Sequence, residues 1–240
     1  MSVKEDPDML LNILPMKKKS LMTFIILTIL SFAFAVNNSF AQSGTANKAL
    51  DEKVKKFLNE HSHYWFDMNI PAADGQLLFD LIIKGNYKSA LEIGTSTGHS
   101  GIWIAWAMSK TGGKLITIEI DKERYKTALE NFREVGLSEY IDARLADAHK
   151  LVKELKGPFD FVFSDADKEW YKNYFIDLEP KLKVGGCFTA HNITDRGSGG
   201  YRGYGGQGVY LEYVRSLKNY ETTVNSDGGG VSISYKRAER

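Results

Sequence analysis

Acidic side chains in this chain fall where a cationic or hydroxyl-rich ligand would want them. The run Glu92-Ile93-Gly94-Thr95-Ser96-Thr97-Gly98-His99-Ser100 sets a carboxylate at the base of a glycine-rich turn, and glycine lets a ligand come close to the backbone. Such an acid suits a cation or a polyol better than a pyrophosphate. Glu119 stands 27 residues beyond Glu92, where a strand-end carboxylate accepts both hydroxyls of a ribose. Taken singly, the turn also fits a plain strand-to-helix connection and Glu119 a solvated strand end. Together they make a nucleoside site. Further on, Phe163-Ser164-Asp165-Ala166-Asp167-Lys168 and Ala190-His191-Asn192 bring more polar groups. Asp165, His191 and Asn192 could converge as oxygen and imidazole ligands of a divalent cation.

These residues need strands to carry them. Short apolar runs at Ala90 to Ile93, Leu115 to Ile120, Ile141 to Leu145, Phe159 to Ser164 and Gly186 to Ala190 alternate with helical stretches. Those stretches are Ser100 to Met108, Lys122 to Val135, Ala148 to Leu155 and Trp170 to Leu178. Strands separated by helices pair in parallel, so the pattern predicts a doubly wound α/β sheet covered on both faces. Ligands then sit at the carboxyl ends of the strands, and the fourth and fifth strands should be neighbours. A helix over Val209 to Leu217 precedes two further runs, Glu221 to Val224 and Val231 to Tyr235, joined through Asp227-Gly228-Gly229-Gly230. That spacing predicts an antiparallel hairpin and a seven-stranded, mostly parallel sheet. Upstream, Ala46 to Glu60 reads as an amphipathic helix, and a second helix opens at Pro71 and stops near Gly85.

In these motifs the chain resembles the cation-dependent class I O-methyltransferases, the family of catechol and caffeoyl-coenzyme A O-methyltransferases and their bacterial relatives. The resemblance runs from about Met68 to Lys236. It rests on Asp74-Gly75-Gln76, the Leu91 to Ser100 turn, Thr117-Ile118-Glu119, Asp147-Ala148, Phe159-Asp160-Phe161, Asp165-Ala166-Asp167-Lys168 and the terminal hairpin. It implies a Rossmann-like methyltransferase fold over 68–240, with S-adenosylmethionine as cofactor. Glu92, Gly94, Thr95 and Ser100 would line its methionine and sulfonium part and Glu119 its ribose. Ala148, Asp167 and the backbone of Ile70 would complete that site. Asp165 and Asn192 look like metal ligands and Lys168 like the general base, which must be neutral when it takes the proton. The implied acceptor is a hydroxyl of a small, catechol-like molecule.

Two features depart from that pattern. Where the family usually carries Asp-Asn, this chain has His191-Asn192, which puts magnesium in doubt. Either His191 ligates a borderline ion such as zinc, iron or manganese, or the metal is lost and His191 is itself a general base oriented by Asp165. The second departure is the loop Ile193 to Gly208, with seven glycines interleaved with Tyr201, Arg202 and Tyr204. It reads as a mobile lid over the acceptor.

Composition bounds the rest. With 43% hydrophobic and 25% charged residues in 240, there is material for one catalytic domain. Lys17, Lys18 and Lys19 precede an apolar run from Leu21 to Val36, and Ser39 and Ala41 have cleavage-site spacing. This predicts an export signal over 1–41, with Met16 an alternative start and a helical segment over 42–67. An uncleaved anchor is the alternative, but 16 residues rise only about 24 Å, against a hydrocarbon core of roughly 30 Å. The expected location is periplasmic or secreted. Removing the leader takes four lysines and three acids from 31 basic and 30 acidic residues, leaving 27 of each. No basic tract remains to neutralise nucleic acid, and no membrane association is expected after cleavage. A homodimer is compatible with the chain. The single cysteine, Cys187, reads as a buried small hydrophobe. Two other functions fit parts of the pattern. One is a binding protein that keeps the cofactor pocket without catalysis, since export separates the chain from cytoplasmic S-adenosylmethionine. The other is a nicotinamide-dependent oxidoreductase, disfavoured by the hairpin and by the lack of Gly-x-Gly-x-x-Gly in the first turn.

Overall fold

Along β4 (Phe159–Ser164) every residue is buried, as an apolar run in a central parallel strand requires. Its side chains alternate in destination. Phe161 and Phe163 join one apolar cluster and Val162 joins the other, so β4 separates two cores. The same division recurs in β1 (Ser89–Ile93), where Ala90 faces the first cluster and Leu91 and Ile93 the second.

The computed structural model describes residues 48–62, 65, 68–194 and 205–239. A helix α1 covers 48–60, followed by α2 (Ala72–Gly85), β1, α3 (His99–Thr111), β2 (Lys114–Glu119) and α4 (Lys122–Val135). Then come β3 (Ile141–Leu145), α5 (Ala148–Glu154), β4, α6 (Tyr171–Leu178) and β5 (Leu182–His191). The chain closes with α7 (Gly206–Ser216), β6 (Tyr220–Asn225) and β7 (Val231–Lys236). Residues 49–240 form one compact unit. The export signal expected over 1–41 lies outside the described residues, as do 195–204 of the expected lid. Among the described residues no helix is long and apolar enough to cross a membrane.

The seven strands lie in the order β3-β2-β1-β4-β5-β7-β6. The first five are parallel, and β7 pairs antiparallel with both β5 and β6. The predicted hairpin is present, and β7, its second strand, is the one that joins the sheet. After β3 the chain returns to the far side of β1 to form β4, so the switch point lies between the ends of β1 and β4. That is where a doubly wound sheet opens a ligand crevice.

Local chemistry sets the helices. Asp121 caps α4 by accepting from the backbone N–H groups of Glu123 and Arg124, which satisfies donors the first turn leaves open. Ala128, Phe132 and Val135 form its buried face, at the spacing of one helical stripe. By contrast, α3 is buried from His99 to Met108, because it is wedged between the sheet and α2. Cys187 is buried as expected, and burial pushes its thiol pKa up.

Candidate active site

The turn after β1 is held by the neighbouring strands. The backbone N–H groups of Gly94 and Thr95 both donate to the Ile118 carbonyl, and that of Asp165 donates to the Ile93 carbonyl at 2.8 Å. Gly94 has φ 95°, and a Cβ there would lie 2.6 Å from the Asp165 carbonyl oxygen. Only glycine fits between the two strand ends.

Beneath this turn Glu92 is fully buried. Thr117 donates its hydroxyl to Glu92 Oε2 at 2.5 Å, and Thr95 lies 2.5 Å from Thr117 Oγ1, so a chain of hydroxyls ends on the carboxyl. Ser100 is a further partner. Glu92 Oε1 has no partner. Burial pushes the Glu92 pKa up to about 8, against the lowering effect of the Ser100 and Thr117 hydrogen bonds. A buried acid with one oxygen unused is a place for a ligand cation.

Glu119 ends β2 and is oriented by three backbone donors. Its Oε2 accepts from Ser96 at 2.7 Å, and its Oε1 from Ile120 at 3.0 Å and Asp121 at 2.8 Å. It borders a cavity of about 560 Å³ that Gly94, Ala148, Asp165 and Asp167 also line. This volume is of the size that holds a small ligand. Four of the expected cofactor residues thus converge on one space, with Glu92, Thr95 and Ser100 buried around the turn above β1. Ile70 lies elsewhere. Its carbonyl faces His99 Nδ1 at 3.0 Å, and it lines a second cavity of about 550 Å³. Burial lowers the His99 pKa to about 4, so the ring is neutral. It donates from Nδ1 to Ile70 and accepts at Nε2 from Trp103 at 3.3 Å. Among the described residues no Asp or Glu lines that second cavity, which Trp65, Trp103 and Trp106 border instead.

Two further side chains have polar work here. His149 lines the same cavity as Glu119, lies 3.0 Å from Asp167 Oδ2 and stacks on Trp170 at 4.3 Å. Tyr171 is fully buried, yet its hydroxyl donates to the His191 carbonyl at 3.2 Å and accepts from Lys168 at 3.2 Å. Trp103 and Trp106 pack against each other, with centroids 5.7 Å apart.

The strand ends of β4 and β5 do bring Asp165 and His191 together, but not as a metal site. His191 Nδ1 lies 3.1 Å from Asp165 Oδ2 and Nε2 lies 2.9 Å from Asp74 Oδ2. Both ring nitrogens are thereby engaged, and a metal needs a bare nitrogen lone pair. Lys168 Nζ sits 2.5 Å from Asp165 Oδ1. Asn192, at φ 55° just past β5, makes no hydrogen bond to either residue among those described. Among the described residues no cluster of three or more His, Cys, Asp or Glu side chains is arranged to hold an ion. The residues present therefore do not fit the divalent cation that Asp165, His191 and Asn192 were expected to bind. They do not fit His191 as a general base either. Burial alone would lower the His191 pKa, but the hydrogen bonds and charges of Asp165 and Asp74 raise it to about 9. The ring is already protonated. The Asp165 carboxyl is held below the ordinary carboxylate range: burial raises it, and His191 and Lys168 more than offset that.

Asp74 had a place in a sequence motif but no role, because nothing near it in the chain marks a partner. Its partners are His191 and Gly229, 117 and 155 residues away. Thr117 was missed for the same reason.

Comparison with known proteins agrees with this architecture. Residues 41–199 match the sequence profile of the O-methyltransferase family. The chain is 36% identical over 141 residues to caffeoyl-CoA O-methyltransferase 1 of Eucalyptus globulus, covering 57% of each chain. It is 34% identical over 165 residues to caffeoyl-CoA O-methyltransferase of Medicago sativa, covering 66% of this chain and 64% of that one. The matches thus span less than two thirds of these curated relatives. Among solved structures, the Bacillus cereus O-methyltransferase in complex with SAH superposes with a TM-score of 0.66 at 22% identity, covering 77% of this chain and 90% of that one. At that identity the likeness speaks for the fold alone. The O-methyltransferase TomG of Streptomyces achromogenes, solved in complex with SAM, gives 0.65 at 25% identity over 78% and 90%. With the profile matched over well more than half its length, the chain belongs to the O-methyltransferase family.

Proposed function

We propose that this protein transfers a methyl group from S-adenosylmethionine to a hydroxyl of a small aromatic acceptor. The observation that carries the reading is Glu92, a fully buried carboxyl with Oε1 unpartnered below the first turn. The α-ammonium of the methionyl part is the cation that this oxygen lacks. Glu119, fixed by three backbone donors, keeps about one lone pair, on Oε2, for a ribose hydroxyl, and Asp167 and Ala148 wall the same cavity. Relatives named as O-methyltransferases, one of them solved with SAM, support this choice.

S-adenosylmethionine supplies an electrophilic methyl group on a sulfonium. Asp165 lines the cavity, and Lys168 Nζ lies 2.5 Å from its Oδ1. Once Lys168 has lost a proton to solvent, its neutral amine takes the proton of the acceptor hydroxyl as that oxygen bonds to the methyl carbon and the carbon–sulfur bond breaks to leave a neutral thioether. Holding the two reactants in line is the larger contribution of the protein. Lys168, about a third exposed, passes the proton on to solvent. The Tyr171 hydroxyl accepts a second hydrogen bond from the lysine at 3.2 Å.

The test is calorimetric titration with S-adenosylmethionine, then turnover against a panel of phenols and catechols. Binding followed by a methyl ether product supports the reading. Binding of NAD in preference to S-adenosylmethionine would overturn it.

A further inference from the structure

The buried end of β5 holds a charge arrangement that the methyl-transfer reading does not use. His191 is 4% exposed and Asp74 0%, and the ring bridges Asp74 Oδ2 at 2.9 Å and Asp165 Oδ2 at 3.1 Å. Ionised carboxylates only accept hydrogen bonds, so a ring facing one at each nitrogen carries both protons. Three elements converge here: α2 brings Asp74, the end of β4 brings Asp165, and β5 brings His191. The turn between β6 and β7 closes over them. Gly229 donates its N–H to Asp74 Oδ2 at 2.7 Å, and Gly228 packs against Asp74 so closely that a side chain would not fit.

Charge closes within the group. Asp74 and Asp165 face His191 and Lys168, two against two, with Lys168 on Asp165 Oδ1. Among the other described ionisable neighbours, Tyr171 is held neutral because burial, with Asp165 nearby, raises its pKa well above the usual value, and burial likewise raises Glu92, which Asp165 also repels, to about 8. Among the described residues of this group no uncompensated negative charge is left to attract an ion. Asp74 Oδ1 is buried without a partner, but Gly228 fills the space in front of it, where an ion would need a clear 2.0–2.6 Å approach.

We propose that the His191 imidazolium, clamped between Asp74 and Asp165, is a built-in cation that stands where a divalent metal would otherwise be needed, so that the acceptor is not required to chelate. The inference rests on the methyl-transfer reading for its catalytic meaning. His191 is a positioning residue. It fixes Asp165 Oδ2, leaving Oδ1 to Lys168, and its own N–H groups are spent on carboxylates. The acceptor class follows from this. A metal would hold two adjacent oxygens, whereas the Lys168–Asp165 pair needs one hydroxyl, so singly hydroxylated aromatics serve as well as catechols.

The first test uses no methyl donor. The chelator-stripped wild-type protein is titrated with Mn²⁺ by electron paramagnetic resonance, and the ¹⁵N signals of His191 are recorded at neutral pH. Absence of stoichiometric Mn²⁺ binding, with both ring nitrogens protonated, is expected. One tightly bound Mn²⁺ per chain, or a ring nitrogen without its proton, overturns the proposal. Should S-adenosylmethionine fail to bind, the proposed function falls while this result stands. The second test compares kcat/KM for a catechol and its singly hydroxylated analogue in chelator. A site that must bind both oxygens rejects the analogue by about 10⁴-fold; here the two should lie within about 100-fold. A strong catechol preference that chelator abolishes contradicts it. The variant His191→Asp should gain Mn²⁺ binding and chelator-sensitive turnover.

Discussion

Glu92 concentrates the chemistry of this site in one side chain. Its pKa is raised from 4.5 to about 8 by burial, a penalty on the charged form on the order of 5 kcal/mol. An ammonium ligand would offset that penalty, so binding and ionisation of Glu92 are coupled. In the free protein the folded state holds the proton more tightly than the unfolded chain. The contribution of Glu92 to stability is therefore fully present below pH 4.5 and lost as the pH rises through about 8. Binding runs the other way: affinity for S-adenosylmethionine should rise with pH and level off above about 8, with a proton released on binding below that. Calorimetry in two buffers of different ionisation enthalpy measures the release, and a pH-independent affinity would remove Glu92 from the role. The variant Glu92→Gln keeps the shape but not the charge. It should weaken binding by about 10–100-fold and abolish the proton release.

The elements succeed or fail by how they meet. Gly94 sits where the ends of β1 and β4 touch, and Gly94→Ala would force a Cβ to within 2.6 Å of the Asp165 carbonyl. A loss of about 1–3 kcal/mol is expected, and Asp165 would move with the strand end. Thermal denaturation should show a lower Tm, and cofactor affinity should fall together with it; a fall in Tm with affinity intact would separate the turn from the site. The hairpin is fastened by Lys236, fully buried in β7. Its ammonium donates to the carbonyls of Glu179 at 3.2 Å and Leu182 at 3.0 Å and pairs with Glu239 at 2.6 Å. Replacing it by Met leaves those carbonyls unpaired, at about 2–4 kcal/mol, read as a drop in Tm. Strand types and helix spans were legible in the chain, and β3, β4 and α4 fall on their predicted limits. The first half of β5 was not, because Lys183, Val184 and Gly185 are exposed there and leave no apolar run to read. Nor was the insertion of β7 between β5 and β6, since strand order is set by contacts distant in sequence.

For the molecule as a whole, the sequence made the cofactor side far more readable than the acceptor side. Glu92, Gly94 and Glu119 lie in local strand-turn motifs, so their type and spacing announce a use. The Asp74–His191–Asp165 bridge joins residues up to 117 apart, and only the folded sheet with its hairpin cap brings them together. The identity of His191 pointed to altered metal chemistry; its two carboxylate partners could not be read from it. We propose that the export signal expected over 1–41 is removed. On that reading the N-terminus of the mature protein, sequenced after expression with the leader intact, is Gln42; an unprocessed chain would contradict it. The central claim, methyl transfer to a hydroxyl, is tested most directly with S-adenosylmethionine carrying a labelled methyl group, incubated with the protein and a phenol panel in chelator. Label should appear in a methyl ether, with one S-adenosylhomocysteine formed per product. Tight cofactor binding with no labelled ether from any acceptor would show that the pocket binds the methyl donor without using it.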